Sequence, residues 1–373
     1  MTNDIPAPDQ APGAPHPREA VHLFGQDSAE RAFLQAHAAG RLHHGWLLTG
    51  PRGVGKATLA WRIARFLLAT PPTEDDGLFG AHPPPETLEI SPDHSVAHRM
   101  LAGSEPGLAC ITRTPNEKTD RLRDNIVVED IRKLGRFFGL SATDGGHRVV
   151  IVDAADDMNV SAANALLKML EEPPARTTLL LISHQPSRLL PTIRSRCRTL
   201  RLSGLSPQAL AAALAQAEVE LPPENDALAA LARGSAGNAL RLMSLGGLEI
   251  YAELIAILGT MPRMDRIRAL ALAEAAAQRN ASDQFHLLLD LADILLARLA
   301  RTGACGMPPT PEAAPGEAEI LSRLSSTPAR GRDWADIATQ ISNRARHGVA
   351  VNLDPAALVL DTVFKMQDVA NRP

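Results

Sequence analysis

The 373-residue sequence is short of several things. It has three cysteines, one tyrosine, 3% aromatic residues and no surplus of positive charge, with 38 Lys and Arg against 42 Asp and Glu for a net charge of -4. Cys110, Cys197 and Cys305 are far apart in the chain, which excludes a disulfide framework and a four-cysteine zinc site. So few aromatics exclude a nucleic-acid surface built on stacked rings. The slight acidity excludes binding to nucleic acid by bulk charge and leaves only local basic patches. No apolar stretch reaches membrane-spanning length without an Arg, Asp or Glu in it, and the opening MTNDIPAPDQAPGAPHPREA lacks the apolar centre of a signal peptide. A reducing, cytoplasmic location is expected, with no membrane contact. What is present is ordinary: 45% hydrophobic and 21% charged residues support a sizeable core, and the length suggests two or three domains.

Residues 1–20 hold five prolines and almost no large apolar side chain, so they read as a flexible tail. A helix is expected over Ser28–Ala39 behind an Asp27/Ser28 cap. Strands are expected at Trp46–Thr49, Leu88–Ile90, Ile126–Val128, Arg148–Asp153, Thr178–Ile182 and Arg198–Leu202, with helices at Ala57–Ala69, Glu129–Leu140 and Ser161–Glu172, the last stopped by Pro173-Pro174. The Pro- and acid-rich stretch 70–87 reads as an exposed loop. Strands alternating with helices imply a parallel sheet covered on both faces, an α/β fold. Beyond residue 205 Ala/Leu-rich helical periodicity takes over, broken once at 303–318, a second flexible break.

Gly50-Pro51-Arg52-Gly53-Val54-Gly55-Lys56, between a strand and a helix, fits the first seven positions of a P-loop. Its glycines let backbone N–H groups curl round phosphates, and its lysine reaches the terminal ones. The eighth position needs a hydroxyl for Mg²⁺ but holds Ala57. Thr58 follows one residue late, about 100° round a helix. Two readings stay open: a P-loop kept as a structural turn, or a weak, non-productive nucleotide site. Asp153 closes the central strand where a Mg²⁺-associated carboxylate belongs, and Asp156 and Asp157 read as a capping or solvated pair. Lys168 reads as structural or electrostatic, and Cys197 as a packed small residue. Arg194, Arg196, Arg198 and Arg201 put four positive charges in eight residues, either a solvated face or a contact for phosphate.

Asn164-Ala165-Leu166-Leu167-Lys168-Met169-Leu170-Glu171-Glu172-Pro173-Pro174, followed by Ser195-Arg196-Cys197, resembles the signature of bacterial clamp-loader subunits of the AAA+ class. The FGQ at 24–26, the P-loop and Asp153-Ala154-Ala155-Asp156 fall where that family puts them, so motifs cover residues 21–245. The resemblance implies an AAA+ P-loop NTPase-like α/β domain at 21–204, a small helical lid at 205–247 and an all-α collar at 248–373 with its flexible insert at 303–318, after the disordered tail 1–20. It favours a non-motor member. The motor subunits have an Asp-Glu pair where Ala154 follows Asp153, and a nucleotide-sensing lid arginine where Gly234-Ser235-Ala236-Gly237-Asn238-Ala239-Leu240 has Gly237. Relatives carry a four-cysteine zinc module after the P-loop helix. Only Cys110, His82, His94 and His98 stand there, and no zinc is expected. The implied function is to help ATP-dependent loading of a sliding clamp onto primed DNA, with Arg196 as an arginine finger acting in trans. The implied partners are the gamma/tau and delta subunits, with the clamp and primed DNA met through the complex. Gly50, Gly53, Gly55, Lys56, Thr58 and Asp153 form a degenerate nucleotide site that needs no cofactor and binds ATP or ADP weakly at most. Intrinsic catalysis is not expected, polymerase activity belonging to the holoenzyme. The alternatives are a self-sufficient AAA+ motor of the gamma/tau type and a P-loop module of another pathway.

Overall fold

The computed structural model describes residues 8–10, 14–70, 85–116, 122–139, 146–219, 225–279 and 281–372. They form two compact units, Met1–Glu220 with Gly234–Gly237, and Leu221–Arg233 with Asn238–Pro373.

The first unit is built on a five-stranded sheet of β1 (Gly45–Thr49), β2 (Leu108–Ile111), β3 (Arg148–Val152), β4 (Thr177–Ser183) and β5 (Arg198–Arg201), in the order β2-β3-β4-β1-β5 with every pairing parallel. Helices α1 (Asp27–Ala38), α2 (Lys56–Ala69), α3 (Ser95–Leu101), α4 (Val128–Gly139), α5 (Val160–Glu171), α6 (Pro191–Ser195) and α7 (Pro207–Gln216) complete it. Successive strand residues point to opposite faces, and the two faces bury separate clusters. Trp46, Leu48, Val149, Ile151, Leu180 and Ile182 pack with Phe33, Leu59 and Ile63 of α1 and α2. Leu47, Val150, Val152, Leu179 and Leu181 pack with Ile131, Leu166 and Leu170 of α4 and α5. This is the expected α/β architecture, and it leaves the P-loop after β1 and Asp153 after β3, at the carboxyl ends of the two strands that flank β4, where parallel sheets place ligand sites.

Two expected strands are absent. Leu88 is buried in the first cluster with Ile90 packed on it, but the segment pairs with no strand. Ile126 forms only an isolated bridge to Met158. The edge position belongs instead to Leu108-Ala109-Cys110-Ile111, paired with Val149–Val152 of β3. The expected flexible tail is also corrected where it is described. His16 is 8% exposed, its ring meets Trp61 edge-on at 5.5 Å and its Nε2 lies 3.1 Å from Asp9. Arg65 Nη2 donates to the Arg18 carbonyl at 2.6 Å, which fixes the chain along α2. Most of the loop expected at 70–87 lies outside the described residues, as does His82.

The second unit is helical: α8 (Asn225–Ala232), α9 (Ala236–Ser244, its first two residues in the first unit), α10 (Gly247–Gly259), α11 (Arg266–Ala276), α12 (Ser282–Cys305), α13 (Glu317–Leu324), α14 (Pro328–Ala350) and α15 (Pro355–Ala370). No single described helix is long and apolar enough to cross a membrane. α12 and α14 cross at two glycines, where a Cβ on Gly303 would stand 2.6 Å from Gly331 Cα. The insert expected to be flexible at 303–318 is packed. Ala313 and Ala314 are buried, and the wholly buried Glu317 accepts from Tyr251 Oη at 2.6 Å, Arg298 Nε at 2.6 Å and the Ala313 N–H at 2.6 Å. A paired, fully hydrogen-bonded carboxylate outweighs the local Pro/Gly preference for loop.

Candidate functional site

The P-loop has the strand–loop–helix context its sequence requires, with Gly53 at φ +70° and Gly55 at φ +99° where side chains rarely go. Its lysine, however, is turned inward. Lys56 is 3% exposed, and its Nζ donates to the Gly50 carbonyl at 2.7 Å and to the Pro51 carbonyl. The ammonium that reaches terminal phosphates in a working P-loop is held by the loop itself. Burial lowers Lys56 to about 8, with the Asp153 and Asp156 charges opposing the fall.

The loop is also contacted from Ser235 and Gly237, while Pro51, Arg52 and Gly53 stay exposed. Ser235 Oγ donates to the Arg52 carbonyl at 2.8 Å, and the Gly237 N–H donates to the Gly53 carbonyl at 3.1 Å. A Cβ on Gly237 would lie 2.9 Å from Gly53 Cα, and one on Gly53 would lie 2.8 Å from Gly237 Cα. Position 237, where the resemblance expects an arginine in motor subunits, therefore has no room for a side chain unless the loop shifts. Gln26, 2% exposed, ties the loop to the sheet by donating to the carbonyls of Val54 at 3.0 Å and Ser203 at 2.8 Å. Leu23 closes on Gly55, where a Cβ would stand 2.6 Å from Leu23 Cδ1. Ala57 packs on the first hydrophobic cluster, while Thr58 lies half-buried on the next position of α2.

Asp153 closes β3, with its N–H donating to the Ile111 carbonyl at 2.9 Å. Burial raises it to about 7, with Asp9 adding to the rise and Lys56 opposing it. Ala154 follows as a buried apolar residue. Neither neighbouring carboxylate is free to take the place of a water-orienting acid. Asp156 accepts from Ser183 Oγ at 2.5 Å, from the His184 N–H at 2.5 Å and from the Gln185 N–H at 2.9 Å, which locks the end of β4. Asp157 pairs with Arg113 at 3.4 Å. Burial pushes His184 down to about 4, helped by the Lys56 and Arg52 charges, so its ring is neutral at pH 7.

Arg196 sits apart from this cluster, at the C-terminal cap of α6. Its Nη2 lies 3.0 Å from Glu171 Oε1, with 39% and 44% of the two side chains exposed, and its Nη1 donates to the Thr192 carbonyl at 3.2 Å. The two separate halves of the sequence signature thus meet in one ion pair. An ion pair this exposed contributes about 0–1 kcal/mol, so the guanidinium is oriented without being committed. Arg198 lies over the Trp46 ring at 5.3 Å, while Cys197 packs on the second cluster and burial pushes its thiol up to about 12. Arg194 and Arg201 are exposed. Glu171 as the partner of Arg196, and Gly237 as a plug over Gly53, are not foreseeable from composition or periodicity. Only their positions inside family-like motifs could have flagged them.

Residues 25–206 match the protein family described as DNA polymerase III, delta subunit. The chain is 39% identical over 216 residues to DNA polymerase III subunit delta' of Pseudomonas aeruginosa, covering 57% of this chain and 59% of that protein. It is 35% identical over 206 residues to subunit delta' of Escherichia coli, covering 55% of each. Subunit tau of Escherichia coli is 29% identical over 373 residues, covering 95% of this chain and 48% of that protein. The chain thus spans about half the length of the delta' relatives it matches.

Proposed function

We propose that the chain, whose residues 25–206 match the family described as DNA polymerase III, delta subunit, and which is similar to delta' subunits over about half its length, is the non-motor subunit of a clamp loader. In this reading it helps ATP-driven partners place a sliding clamp on primed DNA and does not turn over ATP itself. The observation that carries the reading is the closed P-loop: Lys56 is occupied by the carbonyls of Gly50 and Pro51, and Gly237 covers Gly53. For Lys56 to reach a phosphate, its bonds to the two carbonyls must break. Even then Ala57 offers no hydroxyl for Mg²⁺ and Ala154 no carboxylate for water. No cofactor is required by this reading, and ATP or ADP binds weakly at most.

The contribution to catalysis is directed outward. Arg196, which the weak pair with Glu171 holds at the surface, completes the ATP site of an adjacent gamma/tau subunit. There a guanidinium stabilises the charge of phosphoryl transfer, an effect worth about 10³–10⁵ in rate. The partners are therefore gamma/tau and delta, with clamp and primed DNA engaged through the complex. A second reading, a self-sufficient motor, draws on the similarity to tau across 95% of this chain. ATP turnover by the purified chain, alone and with Mg²⁺, separates the two. No turnover is expected. Turnover at motor-like rates that Lys56→Ala abolishes would sink the non-motor reading.

A further inference from the structure

Helix α5 ends at Glu171 and is followed by Pro173 and Pro174. The Leu170 carbonyl needs a donor four residues on, and Pro174 has no N–H to give. His44, the residue before β1, supplies it, its Nε2 lying 2.9 Å from that oxygen. Since a carbonyl only accepts, the ring presents Nε2–H. Burial lowers the pKa of His44, with the charge of His43 acting the same way, so the neutral donor persists through physiological pH. The ring of His43 stacks on it at 4.4 Å and 25°, and the His44 carbonyl accepts from the Leu179 N–H at 2.7 Å, which anchors the segment to β4.

The next residue closes the same corner. A Cβ on Gly45 would stand 2.9 Å from Leu170 Cδ2, 3.1 Å from the Arg196 carbonyl and 3.3 Å from Cys197 Sγ. The turn carrying Arg196 and the end of α5 carrying Glu171 are therefore both seated against residues 44 and 45. We propose that His44 is a positioning residue for Arg196: by holding the Leu170 carbonyl it fixes the last turn of α5, so that Glu171 keeps the guanidinium parked at a defined surface point until a phosphate of a neighbouring subunit takes it over. The exchange is favourable because an exposed carboxylate pair is weak, whereas arginine binds phosphate through short, charge-assisted and often bidentate bonds. The inference rests on the reading of Arg196 as a trans-acting finger. A displacement of about 1 Å in such a group is enough to cost catalysis.

The test is DNA-stimulated ATPase of the complex reconstituted from the full chain with gamma/tau, delta and clamp, resolved into kcat and KM. Arg196→Ala is expected to lower kcat at least tenfold, a conservative threshold for a finger. His44→Leu should lower kcat about three- to tenfold with KM for ATP little changed. His44→Gln, whose amide N–H can reach the same carbonyl, should recover most of that loss, a rescue that a merely space-filling role would not show. Glu171→Ala, at an exposed position where folding is safe, should lower kcat about threefold on the same reasoning. Wild-type kcat in Arg196→Ala overturns the finger itself. A strong loss in Arg196→Ala beside wild-type kcat in His44→Leu or Glu171→Ala, or no recovery in His44→Gln, overturns the positioning role alone. Should His44→Leu fail to fold, Glu171→Ala decides.

Discussion

Lys56 carries a pH signature that reports whether the P-loop is closed. Its ammonium is 3% exposed, and burial brings its pKa from 10.5 to about 8 against the pull of Asp153 and Asp156. Between those two values the unfolded chain holds a proton that the folded unit has released. Stability rises with pH wherever the unfolded state binds more protons, so the first unit should gain stability as pH climbs from about 8 to 10.5 and lose it again on the way down. A fall of about 2.5 pKa units at about 1.36 kcal/mol each sets the gain at roughly 3 kcal/mol as an upper bound. Lys56→Met removes the titrating group and with it that rise. At pH 7 the variant escapes the burial of a charge but leaves the Gly50 and Pro51 carbonyls without a donor, at about 1–3 kcal/mol, so the two effects largely cancel there and the slope is the informative quantity. Urea unfolding from pH 7 to 10.5, followed by tryptophan fluorescence in a Trp334→Phe background, leaves Trp46 and Trp61 of the first unit as reporters. Parallel pH profiles for the chains with and without the Lys56→Met substitution would refute the inward-turned lysine. So would a midpoint that millimolar Mg²⁺–ATP raises in the lysine chain only, since that requires an ammonium free to meet phosphate.

Gly237→Arg restores the residue that motor subunits carry, yet its Cβ would lie 2.9 Å from Gly53 Cα. It should cost the first unit about 1–3 kcal/mol by overpacking and add no ATP affinity, and unchanged melting with tight ATP binding in calorimetry would refute the plug. In the second unit, Glu317→Ala strips the shared acceptor from Tyr251 and Arg298 and leaves Arg298 largely buried without its partner. Urea unfolding followed by Trp334 should show a loss of about 3–5 kcal/mol, and a loss below about 1 kcal/mol would show that water replaces the carboxylate.

Local features carried the readings that held. The continuous apolar runs of Arg148–Val152 and Thr177–Ser183, buried almost throughout, mark strands covered on both faces and need no distant information, and the P-loop glycines announce their own turn. β2 was not legible, because Leu-Ala-Cys-Ile has neither alternation nor a β-branched run, and it is a strand only because Val149–Val152 offers a free edge to it. The Pro-rich tail and the 303–318 break misled for the mirror-image reason: their composition is that of loops, but His16 meets Trp61, and Glu317 meets Arg298 and Tyr251, from elsewhere in the chain. At the candidate site the sequence named the missing residues, and the geometry says why they are missing. Gly237 is a position from which Gly53 excludes every side chain, so an arginine there would require the loop to be rebuilt. The LEEPP segment makes the opposite point. Its prolines read as a helix stop, and they also remove the N–H that the Leu170 carbonyl would use, so a donor must come from outside the helix. That need was present in the sequence, and only the fold shows that His44 meets it, 126 residues away, beside the arginine that the same segment holds in place.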